Sequence, residues 1–184
     1  MPHRGMAVSA RPSFLAGESN FTKLTNPGIR TDSSKTITVL SISPIEEDHG
    51  ALRRIFRRSE WAVYTDLEWT LQSSLTVESA LGVLRRNSFP LIVCERDLQP
   101  GSWREMLADV SLLPDPPLMI VTSRLADEYL WAEALNLGAY DVLAKPFDTE
   151  EVIRVLSLAS LHWNHAHEIQ GSRTKAMVQA ANGS

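Results

Sequence analysis

Residues 90–95 read PLIVCE and residues 117–122 read PLMIVT, two short apolar runs, each opened by a proline and closed by a polar side chain. A strand with one wet face alternates apolar and polar residues, whereas a strand covered on both faces does not. Both runs therefore fit the centre of a parallel sheet. Between them lie Trp103, Met106, Leu107 and Val110, spaced along one face of a helix. Strand, helix, strand is the repeating unit of such a sheet, because parallel neighbours need a long crossover.

The same alternation continues in both directions. Upstream, Thr36–Ser43 (TITVLSIS) is a β-branched run, Leu52, Ile55 and Phe56 mark a helical face, and Trp69–Ser73 (WTLQS) reads as a weaker second strand. Val77, Ala80, Leu81 and Leu84 then fall at i, i+3, i+4 and i+7. Downstream, Ala126, Leu130, Ala134 and Leu137 form a helix stopped by Gly138, and Tyr140–Ala144 is a fifth strand. Val152, Val155, Leu156 and Ala159 give a last helix, with Asp148 as its N-cap and Glu150 and Glu151 in its first turn. Segment 59–68 (SEWAVYTDLE) reads as an extension of the first helix in preference to a strand over Trp61–Thr65. Five strands alternating with helices predict an α/β fold, a doubly wound five-stranded parallel sheet.

Composition narrows the class. The chain has 184 residues, 22% charged and 43% apolar, as in a soluble globular domain with tails. Its net charge of −4 lacks the basic balance of a nucleic-acid binder. No apolar run approaches the roughly 18 residues of a membrane span. Arg4 and Arg11 are not followed by the apolar core of a secretory signal. The single cysteine, Cys94, forms no intrachain disulfide and, within an apolar strand, reads as an inert buried thiol. Cytoplasmic location is the expectation. Residues 1–35, rich in Ser, Thr, Gly, Pro and Asn, read as a disordered leader, and Met6 offers an alternative start. The domain is expected over 36–163, followed by a frayed, flexible tail over 164–184.

In an open parallel sheet, chemistry gathers at the carboxyl ends of the strands. Here those ends bring together Ser43 and Pro44, Glu95, Thr122 and Ser123, and Lys145 and Pro146. A carboxylate, a hydroxyl and an ammonium converge. They form either a site or a polar cluster that closes the sheet top.

The stretch Gly138–Phe147 (GAYDVLAKPF) resembles the fifth-strand signature of response-regulator receiver domains from bacterial two-component signalling. Pro117–Ser123 resembles their fourth strand, and Glu95–Trp103 their third strand and following loop. The likeness covers 36 to about 162 and implies strand order 2-1-3-4-5. In that family an aspartate ending the third strand accepts a phosphoryl group from a histidine kinase. Two acidic residues ending the first strand hold Mg²⁺, which screens the nucleophile from the incoming anion. A fourth-strand hydroxyl and a fifth-strand lysine contact the phosphate.

This sequence departs from the pattern in three places. Ser43 and Pro44 stand where the acidic pair belongs, and they cannot cage a hard cation. Glu95, one methylene longer, stands at the phosphoacceptor position, and Val142 replaces the aromatic switch residue. Thr122 and Lys145, the phosphate-facing pair, remain. No metal and no cofactor are therefore expected. The longer Glu95 either reaches Lys145 and Thr122 in partial mimicry of a phosphoryl group or merely fills the pocket.

Other candidates have plainer readings. Asp97 could be a displaced phosphoacceptor but reads as a loop carboxylate before Pro100 and Gly101. Glu46, Glu47 and Asp48 could rebuild an acidic site but read as first-turn residues favouring the helix dipole. His162, His165 and His167 lack further metal ligands and read as an exposed helix end. Arg53, Arg54, Arg57 and Arg58 read as a solvated face. Trp131 and Leu135, with Leu158 and Leu161 on the last helix, lie off the core stripes and form a candidate interface. The reading is a stand-alone, non-enzymatic pseudo-receiver acting through protein contacts. A histidine kinase or another regulator is the expected partner, with homodimerisation as a second mode and no nucleic-acid or membrane partner. Phosphotransfer on Glu95 or Asp97 and nucleic-acid binding through the arginines are the alternatives.

Overall fold

The computed structural model describes residues 35–57 and 67–182. Five parallel strands form one sheet in the order 2-1-3-4-5. The chain runs β1 (Lys35–Ile42), α1 (Glu46–Phe56), β2 (Leu67–Ser74), α2 (Val77–Leu84), β3 (Leu91–Glu95), α3 (Trp103–Ser111), β4 (Leu118–Ser123), α4 (Glu128–Leu137), β5 (Asp141–Ala144) and α5 (Thr149–Asn182). This is the doubly wound architecture the alternation of periods predicts.

Alternation along each strand sends side chains to two separate cores. Leu40, Ile42, Ile92, Cys94, Met119, Val121 and Val142 face α2, α3 and α4, where Trp103, Met106, Val110, Leu130 and Ala134 meet them. Ile37, Val39, Leu91, Val93, Ile120 and Leu143 face the other way, onto Leu52, Ile55 and Phe56 of α1 and Val152, Val155, Leu156 and Ala159 of α5. Parallel register pairs Glu95 with Thr122 and Thr122 with Leu143. Glu95 and Thr122 therefore share the parity of the α1 and α5 side.

The helix starts are set by local chemistry. Thr76 and Ser102 cap α2 and α3 with reciprocal capping boxes, and the Asp127 side chain accepts from the Leu130 amide at the start of α4. Asp148 caps α5 by accepting from the Glu151 amide at 2.9 Å.

Four expectations need correction. First, α1 closes at Phe56, and Leu67 and Glu68 belong to β2, so neither is part of a longer first helix. Residues 58–66 lie outside the described residues, as does the expected leader apart from Lys35, which opens β1. Second, α5 runs to Asn182, so the chain from 164 to 182 is helical and not a loose tail. Its polar residues include Glu168, Gln170, Lys175 and Gln179, all good helix formers, and no proline interrupts them. Third, β1 ends at Ile42, which leaves Ser43 just beyond the strand. Fourth, Leu137 is half exposed and Ala126 precedes α4, so that helix buries only Leu130 and Ala134. A short helix over a sheet edge covers little, and the apolar residues outnumber the buried positions.

Gly138 ends α4 with φ +101°, in the left-handed region where a side chain is strained. Open space surrounds it, so any cost of a methyl group there is conformational. Gly138→Ala is expected to lower unfolding free energy by about 1–2 kcal/mol in urea titration, with the denaturant slope unchanged.

Candidate functional site

The carboxyl ends of β1, β3, β4 and β5 deliver Ser43, Glu95, Thr122 and Lys145 to one buried spot, and α1 delivers Asp48. The side chains of Lys145 and Glu95 are 4% and 5% exposed. The Lys145 ammonium forms an ion pair with Glu95 Oε2 and donates to Asp48 Oδ2 at 2.5 Å. One cation thus serves two carboxyl groups.

Neutral donors add to both carboxyl groups. Thr122 Oγ1 donates to Glu95 Oε2 at 3.2 Å, and the Asp97 amide donates to Glu95 Oε1 at 3.1 Å. Ser43 Oγ donates to Asp48 Oδ2 at 2.6 Å while accepting from the Ile45 amide. These contacts matter, because a buried charge left without a partner costs several kcal/mol.

Beneath Asp48 lies His49, fully buried. Its Nε2 sits 3.1 Å from the Ser43 carbonyl, an acceptor only, so Nε2 carries the proton. Nδ1 then accepts from Ser41 Oγ at 2.8 Å. Burial holds this imidazole below its ordinary pKa of 6.5, the carbonyl contact opposing in part. Burial likewise pushes the Cys94 thiol upward, in keeping with an inert core cysteine.

The strand-end residues singled out from sequence therefore meet, with Glu95 contacting both Thr122 and Lys145. Pro44 is exposed and contributes no ligand atom to the described contacts. Val142 is buried on the opposite core, among the residues facing α2, α3 and α4. Asp97 is an exposed loop residue paired with Arg96 at 2.9 Å.

Asp48 is a correction. It lies in the first turn of α1 as expected, yet it turns inward to Lys145, while Glu46 and Glu47 are exposed. The signal was available: Asp48, Leu52 and Ile55 fall at i, i+4 and i+7, so the buried stripe of α1 begins one turn earlier than its apolar residues. His49 and Ser41 were also missed; His49 lies seven residues before Phe56, along the other edge of that stripe.

The other candidates resolve simply. His162 meets the Tyr140 hydroxyl at 3.0 Å, His167 stacks on Trp163 at 3.6 Å, and His165 is exposed. No cluster of three metal-ligating side chains occurs among the described residues. Arg53 is engaged by Glu46 and Ser73. Trp131, Leu135, Leu158 and Leu161 are all exposed, joined on α4 by Tyr129 at 86%.

Solved structures with the same fold include receiver domains. The signal receiver domain of an HD domain-containing protein from Pseudomonas fluorescens Pf-5 superposes with TM-score 0.63 at 22% identity, covering 76% of this chain and 97% of that one. The chemotaxis response regulator CheY4 of Vibrio cholerae gives 0.58 at 14% identity, covering 68% and 99%. A response regulator receiver domain protein from Clostridium thermocellum gives 0.60 at 12%, covering 71% and 98%. No family model and no curated protein matches the sequence. The chain thus has the receiver fold. Among the described residues, no helix is long and apolar enough to cross a membrane.

Two stability predictions follow from this geometry. Lys145→Met strands two carboxyl groups and should cost about 3–5 kcal/mol in denaturant titration, part of which returns when Asp48→Asn and Glu95→Gln are added. His49 is held neutral in the fold, so the unfolded chain binds its proton more readily. Its contribution is full above 6.5 and declines as pH falls from there toward the lower folded-state value. His49→Gln should flatten the loss of stability that urea melts record between about pH 7 and pH 5.

Proposed function

We propose that this protein is a pseudo-receiver, a cytoplasmic, non-enzymatic signalling module of the two-component type that works through protein contacts and not through Mg²⁺-dependent phosphotransfer. One observation carries the reading. The Lys145 ammonium lies between Glu95 and Asp48, so a built-in monovalent cation occupies the place where carboxylates would hold a divalent one.

The rest of the pocket agrees. Ser43 spends its hydroxyl hydrogen on Asp48, and Pro44 has no donor oxygen to offer from a side chain. Glu95 engages Thr122 and Lys145, the two groups that would otherwise contact a phosphoryl oxygen. The carboxylate then stands in part for the phosphate. Val142 lacks a ring whose rotation could report the change, which favours a single fixed state. Output would pass through the exposed apolar positions of α4 and α5, with a histidine kinase, another regulator or a second copy of the chain as partner.

Incubation with acetyl phosphate and Mg²⁺ is expected to leave the intact mass unchanged. A gain of about 80 Da, one phosphoryl group, would restore Glu95 or Asp97 as an acceptor and sink the proposal. Trp131→Asp is expected to alter the sedimentation coefficient or abolish capture of the partner kinase or regulator, and unchanged behaviour in both assays would exclude the α4 face.

A further inference from the structure

Beside the ionic cluster, at the same edge of the sheet, opens a cleft of about 440 Å³ lined by Glu47, Asp48, Ala51, Arg54, Arg124, Lys145, Pro146 and Phe147. Its volume is that of a small-ligand site. Lys145 and Asp48 are spent on each other, so the free chemistry of the cleft lies in the remaining side chains.

Arg54 comes from α1 and Arg124 directly follows β4. Both are exposed, and neither guanidinium makes a hydrogen bond or ion pair with any described residue. This differs from Arg53, Arg96 and Arg104, each of which has a carboxylate partner. Phe147 is partly buried against the α1 and α5 core and lines the cleft as well. Glu47, exposed at the opening, supplies an acceptor.

Two guanidinia without a partner among the described residues suit phosphate oxygens, which they bind in forked, charge-assisted pairs. A half-buried phenyl ring beside them suits a planar base, and a carboxylate suits sugar hydroxyls. We propose that this cleft binds a nucleoside monophosphate, with Arg54 and Arg124 on the phosphate, Phe147 against the base and Glu47 on the sugar. The ligand would sit on the α1 side of the Lys145 cluster, without entering it. This inference does not depend on the chain being a pseudo-receiver, since it uses none of the residues that distinguish that reading.

Calorimetric titration of the full chain with AMP and with GMP tests it, with adenosine and inorganic phosphate as separate probes. Saturable binding of at least one nucleotide is expected, weakened roughly tenfold or more both for adenosine and for the Arg54→Gln, Arg124→Gln double variant. Phe147→Leu should weaken the nucleotide but leave inorganic phosphate unaffected. The melting temperature of the double variant without ligand serves as the check that it folds, and Arg124→Gln alone replaces it if it does not. Absence of saturable heat with either nucleotide, or equal affinity in the arginine variant, overturns the site. Inorganic phosphate binding as tightly as the nucleotides overturns the ligand class.

Discussion

A single ammonium shared by two buried carboxyl groups is the constraint around which this protein is organised. Lys145 follows β5, Glu95 ends β3 and Asp48 belongs to α1, so one nitrogen joins three elements far apart in sequence. Thr122 of β4 and Ser43 beyond β1 complete the set by donating hydroxyl hydrogens to the same two carboxyl groups. Ion pairs of this kind gain little net stability over a well-packed apolar substitute, because desolvation offsets most of the attraction. Their effect lies in geometry. Every strand end except that of β2 is held to a common point by groups that tolerate little displacement.

The two faces of the sheet divide the labour. The side facing α2, α3 and α4 is almost wholly apolar, and Val142 belongs to it. The side facing α1 and α5 is apolar at its lower end and becomes polar toward the strand tips, where Ser41, Ser43, Glu95 and Thr122 succeed Val39, Val93 and Ile120. His49 sits at that transition as a neutral ring bridging Ser41 and the Ser43 carbonyl. It secures the loop after β1, on which Ser43 depends, and α1 in turn places Asp48. The ionic cluster therefore rests on a layer of neutral hydrogen bonds, which in turn rests on the packed aliphatic core.

Much of this was legible from the residues alone. Continuous apolar runs at 90–95 and 117–122 marked the central strands, and i, i+3, i+4 spacing marked the helices, because both patterns come directly from backbone geometry. Glu95, Thr122 and Lys145 were recognisable because a parallel sheet sends its strand tips to one edge. Asp48 was assigned to the helix dipole in preference to an acidic site, although its place on the stripe of Leu52 and Ile55 gave it an inward face. The stretch from 164 onward was misjudged for a different reason. Its small and polar residues, ending Ala-Asn-Gly-Ser, suggested fraying, while the helix formers among them carry the helix through to Asn182. Segment 59–68 has no clear period in its sequence, so its reading as an extension of the first helix had little to rest on.

The 34-residue helix α5 reaches farther than the sheet it covers. At 1.5 Å per residue it is about 51 Å long, roughly twice the span of the eight-residue strand β1. Its first half is fastened by Val152, Leu156 and Ala159, with further contacts from His162 to Tyr140 and from His167 to Asp115. From there the backbone continues as one helix to Asn182, so its direction is set by the half that is packed. Each residue of a helix advances the azimuth by about 100°, so anything grasping the outer portion meets the domain at a fixed angle as well as a fixed distance. Length in a continuous helix thereby becomes orientation, the angle at which one body is presented to another.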